Sequence, residues 1–179
     1  DSYPRDLESD LETLRSAGVD AVFVPTVSQI YPNGLEVNPP MEPGPIGDVL
    51  EGKARPGHFR GMLTVVQRLL AVTHAEFSFF GEKDYQQLTL VKAMVDFTKM
   101  PIEIAGVPTV RDESGLALSS RNRRLSPNAI EYARLIPSAM NKAAKVFLAT
   151  GSVLEAEAAG ENILNECDKF EIGYFEIKS

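Results

Sequence analysis

The chain has 179 residues, of which 44% are hydrophobic and 24% are charged, a balance typical of folded domains and not of disordered chains. Its 25 acidic and 18 basic side chains give a net charge of -7, which disfavours nucleic acid as a partner. The lone cysteine, Cys167, and the lack of a long apolar run favour a cytoplasmic protein without a membrane partner.

The first 60 residues contain one helical pattern, one strand pattern and a long irregular segment. Leucines at helical spacing predict a helix near residues 6 to 17, with Gly18 at its C-cap. The apolar run from Val19 to Val24 predicts a buried strand. Proline and glycine are frequent from Tyr31 to Gly57, which indicates a loop of a length that is usually functional or mobile.

The middle of the chain alternates between helix and strand patterns. An apolar stripe between Met62 and Leu70 predicts a helix, and Phe77 to Phe80 predicts the next strand. Asp84 is placed to cap a following helix, with Gln87 completing a capping box. Ile102 to Val107 predicts another strand, so the pattern favours an α/β fold with a parallel sheet and right-handed crossovers.

After Pro108 the alternation of strand and helix patterns gives way to a loop followed by helices. A loop rich in Gly, Ser and Arg precedes Ser126-Pro127, a strong helix start, and further helices are predicted on either side of Gly151-Ser152. Residues 173 to 179 alternate as in a strand with one buried face. We therefore predict one domain over residues 1–107 and a smaller domain, containing a mobile Ser-Ser-Arg loop, over residues 108–179.

The ends of the chain do not resemble natural ends. Asp1 is not an initiator methionine, and the strand predicted at residues 173 to 179 is followed by no further strand that could pair with it. We expect coding sequence to precede and follow this chain.

Two polar clusters have the chemistry of phosphate sites. Gly81 to Gln87 lies between a strand and a helix start, where backbone N–H groups and the charge of Lys83 favour an anion. The alternative is a polar surface turn with a solvated lysine. Leu118 to Asn122 combines two serines with Arg121, which suits phosphate oxygens but is also a common loop composition.

A third cluster is basic and lies in the proline- and glycine-rich segment. It comprises Lys53, Arg55, His58 and Arg60. These residues fit a lid over an anion and a solvated face equally well. His58 has a pKa suited to acid–base chemistry, although a histidine in a loop rarely has that role.

Six stretches, in order and at fixed spacing, resemble the pantothenate synthetase (pantoate-β-alanine ligase) family. They are residues 31–34 (YPNG), 50–52 (LEG), 55–61 (RPGHFRG), 80–88 (FGEKDYQQL), 106–111 (GVPTVR) and 115–122 (GLALSSRN). The resemblance extends from Tyr3 to about Leu125 and continues more weakly to the end of the chain.

The resemblance implies a Rossmann-like parallel sheet, incomplete at the N-terminus, with a smaller C-terminal α+β domain. It also implies an ATP-dependent ligase of pantothenate and coenzyme A biosynthesis, with ATP, pantoate and β-alanine as small-molecule partners and Mg²⁺ as cofactor. Pantoate would react with ATP to give pantoyl adenylate, and β-alanine would then displace AMP. Members of the family are commonly homodimers.

The resemblance assigns roles to individual residues. It implies a catalytic role for Lys83, Ser119, Ser120 and Arg121, and a pantoate contact for Gln87, while the metal ligands stay unknown. Arg55 is a weaker match, in a loop near the phosphates. The residues that match the ATP-binding positions are Gly81, Glu82, Lys83, Asp84, Val110, Leu118, Ser119, Ser120 and Arg121.

One part of the family's pattern is missing. The paired-histidine motif and a further N-terminal glutamine have no counterpart here, because both histidines, His58 and His74, lie in other contexts. We therefore expect the chain to be inactive by itself. Two alternatives stay open, namely another nucleotidyltransferase on the same scaffold and a non-catalytic nucleotide-binding module.

Overall fold

The computed structural model describes residues 7–169 and 171–178. The chain divides into two compact units, Asp1–Val37 and Asn38–Ser179. None of the helices in the described ranges is both long and apolar enough to cross a membrane.

Over its described residues, from Leu7 on, the first unit contains two helices, α1 (Leu7–Ser16) and α2 (Val27–Ile30). Gly18 adopts the left-handed conformation, with φ +76°, just after α1, as predicted for a C-cap. The strand predicted from Val19 to Val24 is wrong, because the described residues offer these positions no hydrogen-bonded partner strand. Phe23 is 50% exposed, so an apolar run alone did not ensure burial or pairing.

The second unit contains the sheet and six α-helices of the described chain. These elements are α3 (Glu51–Ala54), α4 (His58–Thr73), β1 (Phe77–Gly81), α5 (Tyr85–Thr98), β2 (Glu103–Val107), α6 (Pro127–Ala133), α7 (Leu135–Thr150) and α8 (Val153–Asn165), with 3₁₀ turns at Gly44–Asp48, Glu82–Asp84 and Ser120–Arg124. The long irregular segment predicted before α4 is therefore partly helical.

The sheet confirms the predicted parallel α/β arrangement. Strands β1 and β2 pair in parallel, with Phe77 opposite Glu103 and Gly81 opposite Val107, and α5 forms the crossover between them. Helices α4 and α5 bury the apolar core, in which Leu63 and Val91 are fully inaccessible to solvent. Because Gly81 ends β1, the following polar turn lies at the carboxyl edge of the sheet.

The helix boundaries predicted after residue 108, at Ser126-Pro127 and at Gly151-Ser152, are confirmed. The Ser126 side chain accepts a hydrogen bond from the Ala129 amide at 3.2 Å and so caps α6. Gly151 ends α7 in the left-handed conformation, and Ser152 caps α8 through the Glu155 amide.

The strand predicted over residues 173 to 179 is wrong for the described positions 173–178, which are irregular. The predicted alternation is nevertheless present, since Phe175 and Ile177 are half-buried between exposed neighbours. Side-chain packing replaces strand pairing here. The ring of Phe175 lies against Gly160 of α8, and the Ile177 amide donates to Glu157 at 2.6 Å.

Candidate nucleotide site

A cleft of about 310 Å³ opens at the carboxyl end of β1. The residues that line it come from the α3 region, the start of α4, the turn before α5, α5 itself and the C-terminal segment. They are Leu50, Glu51, Arg55, His58, Phe59, Lys83, Asp84, Tyr85, Gln86, Gln87 and Tyr174. A larger pocket, of about 500 Å³, lies elsewhere, against Lys92 of α5 and Glu103 of β2, away from all the predicted site residues.

The turn between β1 and α5 places Lys83 and Asp84 in the wall of this cleft. Lys83 Nζ lies 3.4 Å from Asp84 Oδ1, a loose contact that leaves the ammonium group accessible. Asp84 is the N-cap residue of α5, as predicted, but its side chain accepts no capping hydrogen bond. The predicted capping box with Gln87 is therefore wrong, because the preceding 3₁₀ turn gives Asp84 a ψ of 57° instead of extended geometry.

Glu82 lies beside the cleft and not in its wall. A Cβ atom placed on Gly106 of β2 would come within 3.1 Å of Glu82 Oε1 and 3.2 Å of Leu88 Cδ2. The Glu82 side chain thus lies across the sheet, and the absence of a side chain at Gly106 provides the space for it.

The two adjacent glutamines at the start of α5 have different environments. Gln86 donates to the carbonyl oxygens of Ile46 and Val49 at 2.6 and 2.9 Å, and accepts from the Glu51 amide at 3.3 Å. Its amide is fully engaged in attaching the segment before α3 to α5. Gln87 is half-buried and lines the cleft, which is the position required of the predicted substrate contact.

The four residues of the predicted basic cluster lie in three different places. Arg55 and His58 face the cleft, whereas Arg60 pairs with Glu42 and Lys53 lies in a neighbouring pocket. Arg55 Nη1 lies 3.4 Å from a carboxylate oxygen of Glu51 and 3.3 Å from His58 Nε2.

The environment of His58 favours its neutral form. Partial burial lowers the pKa of His58, the positive charge of Arg55 lowers it further, and Glu51 opposes the shift. Arg121 and Asp84 act on the same group with smaller, opposite effects. The charge of Arg121 therefore reaches the cleft.

The second predicted ATP segment is organised by a tight loop. The Leu118 amide donates to the Val110 carbonyl at 2.9 Å, so these two predicted nucleotide contacts are neighbours. Asp112 accepts hydrogen bonds from Ser114 and Leu116 and stabilises the connecting turn.

The serines of this segment begin a 3₁₀ turn. The Ser119 side chain accepts from the Arg121 amide at 3.2 Å, and this capping bond leaves its hydroxyl proton free to donate. Arg121 is exposed. The Ser119 hydroxyl and the Arg121 guanidinium group belong to one short turn, and both groups suit an anion.

Of the predicted site residues, the cleft brings together Lys83, Asp84, Gln87 and Arg55. The others lie outside its lining, although the charge of Arg121 contributes to the lowered pKa of His58. These others are Gly81, Glu82, Val110, Leu118, Ser119, Ser120 and Arg121.

Sequence reasoning missed Glu51 and Tyr174. Glu51 stands four residues before Arg55, a helical spacing that signals an ion pair. Tyr174 follows Glu51 by 123 residues, and no local pattern indicates that its hydroxyl donates to Glu51 Oε1 at 2.7 Å.

The described residues contain no group of three or more His, Cys, Asp or Glu side chains that could hold a metal ion by itself. The carboxylates in the cleft lining are those of Asp84 and Glu51. Glu51 is engaged by Tyr174 and Arg55, so Asp84 is the more available of the two. Such a set fits Mg²⁺ that arrives with phosphate ligands, since this ion usually takes only one or two protein carboxylates.

Relatives of the chain are similar to it in sequence and in fold. Pantothenate synthetase of Mycolicibacterium smegmatis is 45% identical over 177 residues, which cover 99% of this chain and 55% of that protein. The crystal structure of pantothenate synthetase from Thermus thermophilus superposes with a TM-score of 0.90 at 46% identity, covering 97% of this chain and 62% of that one.

A pantoate-β-alanine ligase from Francisella tularensis, solved in complex with β,γ-ATP and β-alanine, matches with a TM-score of 0.74 at 39% identity. This match covers 90% of the present chain and 59% of that structure. The chain thus spans between about half and two thirds of the length of these relatives. The family model described as pantoate-beta-alanine ligase matches residues 1–179, and the chain belongs to that family.

Proposed function

We propose that the complete protein joins pantoate to β-alanine in an ATP-dependent reaction that forms pantothenate through pantoyl adenylate. The pantoate carboxylate attacks the α-phosphorus of ATP, and pyrophosphate leaves. The β-alanine amine then attacks the acyl carbon, the bond from that carbon to the phosphate oxygen breaks, and AMP leaves as the nitrogen loses a proton.

The single observation that most supports this proposal is the cleft that holds Lys83, Arg55 and Gln87 together at the carboxyl end of β1. In open α/β sheets, ligands bind at this edge, beyond the ends of the strands. Two cations and the amides at the start of α5 suit a triphosphate, while Gln87 can donate to a carboxylate or hydroxyl oxygen.

The reaction brings an anionic carboxylate to an anionic phosphate, so charge neutralisation and alignment provide most of the acceleration. We assign to Lys83 and Arg121 the neutralisation of phosphate charge, aided by the hydroxyls of Ser119 and Ser120. Gln87 would orient pantoate. Alignment of two bound reactants contributes about 7–11 kcal/mol in favourable cases, so no covalent enzyme nucleophile is required.

The remaining proposed ATP contacts come from two loops. We propose that Gly81, Glu82 and Asp84 surround the nucleotide from the β1–α5 turn, and that Val110 and Leu118 contact it from the second loop. Asp84 would hold Mg²⁺ together with phosphate oxygens, and the ion would supply further neutralisation of phosphate charge.

Three further expectations belong to this proposal. The resemblance to the family supports a homodimer. The single Cys167 and the acidic net charge support a cytoplasmic enzyme with no nucleic-acid partner. The division into domains at residues 107 and 108 stays a prediction, with both residues inside the unit Asn38–Ser179.

The test is substrate omission with the complete protein. We expect AMP to accumulate only when ATP, pantoate and β-alanine are all present. AMP or pyrophosphate release with a different acid would indicate another nucleotidyltransferase, and ATP binding without any turnover would indicate a non-catalytic module.

The variant Gln87→Ala examines the pantoate contact in the same assay. We expect its KM for pantoate to rise at least tenfold, in line with the loss of a hydrogen bond to a charged group. Gln67→Ala is the matched control, because Gln67 is also half-buried but lies on α4 outside the cleft lining. An unchanged KM in Gln87→Ala contradicts the assignment of Gln87.

A further inference from the structure

Tyr174 and Glu51 form a contact in the wall of the cleft that the proposed reaction does not explain. The Tyr174 hydroxyl donates to Glu51 Oε1 at 2.7 Å, and both residues line the same cleft as Lys83. A carboxylate in this wall is unfavourable for a bound polyphosphate unless nearby groups neutralise it. Two groups offset this carboxylate here. The phenol of Tyr174 donates a hydrogen bond to it, and the guanidinium of Arg55 brings a positive charge.

Arg55 is held loosely at this carboxylate. Its Nη1 atom lies 3.4 Å from Glu51 Oε2 and 3.3 Å from His58 Nε2, and both distances are long for a hydrogen bond to a charged group. An arginine next to a free carboxylate usually binds both oxygens through two parallel bonds. Tyr174 donates to Oε1 and so competes for this oxygen, and Arg55 contacts only Oε2.

We propose that Tyr174 is a positioning residue that keeps the Arg55 guanidinium available to a nucleotide phosphate by limiting the contact of Arg55 with Glu51. This inference rests on the proposed binding of ATP in the cleft. Glu51 attracts Arg55, and the hydrogen bond from Tyr174 to Glu51 limits that attraction. Without the phenol hydroxyl, Arg55 would bind both carboxylate oxygens and its donors would turn away from the ligand.

The protonation state of Tyr174 agrees with this role. Partial burial, together with the hydrogen bond to Glu51 and its negative charge, raises the pKa of Tyr174 to about 12. The phenol therefore remains a donor throughout the range in which ATP is bound.

The test measures ATP affinity by titration calorimetry in the complete protein, without pantoate or β-alanine. We expect Tyr174→Phe to raise the Kd about threefold to fivefold, the size expected from loss of one partly exposed charged contact. Tyr132→Phe is the matched control, because Tyr132 on α6 is 37% exposed, against 38% for Tyr174, and lies outside the cleft lining. We expect its Kd to equal that of the parent.

A second substitution separates positioning from a purely structural role. Glu51→Gln removes the charge that attracts Arg55, so we expect it to tighten ATP binding by itself and to restore the affinity of Tyr174→Phe in the double variant. A structural defect caused by loss of the hydroxyl would persist in the double variant. The melting temperature of each variant shows that folded proteins are compared.

Three results would overturn the positioning role. They are an unchanged Kd in Tyr174→Phe, a defect that persists in the double variant, and weaker ATP binding in Glu51→Gln alone. A parent protein that binds no ATP refutes both the positioning role and the proposed function. A parent that binds ATP but forms no AMP contradicts the ligation alone, since the affinity measurements still decide the role of Tyr174.

Discussion

The side-chain amide of Gln86 donates to the carbonyl oxygen of Val49 at 2.9 Å, and so attaches the wall of the cleft to α5 across 37 positions of the sequence. The same amide group donates to Ile46, and its oxygen accepts from the Glu51 backbone. The cleft consequently depends on a side chain next to the one proposed to contact pantoate.

We predict that Gln86→Glu destabilises the protein, because a carboxylate would replace the amide donor and face two carbonyl oxygens. The loss should be about 1–3 kcal/mol in the free energy of unfolding, measured by urea denaturation. Gln67→Glu, on a half-buried position of α4, is the control and should change the free energy by less than about 0.5 kcal/mol. Equal effects of the two substitutions would show that the hydrogen bonds of Gln86 contribute nothing specific.

Two helical glycines should respond oppositely to alanine. At Gly160 an added Cβ would collide with the ring of Phe175 and lie 3.2 Å from the Ala139 carbonyl, so Gly160→Ala should cost about 1–3 kcal/mol of stability. At Gly61 nothing lies within 4 Å of that position, so Gly61→Ala should stabilise α4 by about 0.5–1 kcal/mol. Thermal denaturation of both variants and of the parent protein measures these changes. A Gly160→Ala variant as stable as the parent would contradict the packing of Phe175 on α8.

His58 should titrate below its ordinary value of 6.5, because burial and the charge of Arg55 lower its pKa. We predict that Arg55→Ala raises the midpoint in a proton NMR titration without fully restoring it, since burial is the larger cause. Arg121→Ala should raise it by a smaller amount, and Arg123→Ala, the neighbouring control, should leave it unchanged. No response to Arg121→Ala would show that the second loop does not approach the cleft.

The same shift makes stability dependent on pH. A folded-state pKa below the unfolded value means that the unfolded chain binds more protons, so the contribution of His58 to stability is lost as the pH falls below about 6.5.

Sequence patterns predicted the elements that local physics determines. Periodicity and capping residues predicted the parallel pair β1 and β2, the crossover helix α5, the cap at Ser126 and the break between helices at Gly151-Ser152. The strand predicted from the apolar run at Val19 to Val24 is wrong, because a strand requires a partner strand and the run itself does not specify one.

The candidate site was predictable where it depends on local sequence and not where it depends on tertiary packing. Lys83 was found because a polar turn between a strand and a helix marks the edge of a parallel sheet, and Gln87 was singled out by the resemblance to the family. The contact between Tyr174 and Glu51 depends on chain segments far apart in sequence, and its formation follows from tertiary packing alone.

The most direct test of this account is the affinity of the complete protein for ATP with and without Lys83. The charge of Lys83 at the cleft should contribute at least a factor of about ten to binding, as expected for a charge-assisted contact with phosphate. Lys145→Ala, which removes an exposed lysine of α7, makes the same change in net charge and is the control. We predict that Lys83→Ala binds ATP at least about tenfold more weakly than Lys145→Ala; equal affinity of the two variants, both folded, would contradict a phosphate site at the carboxyl end of β1.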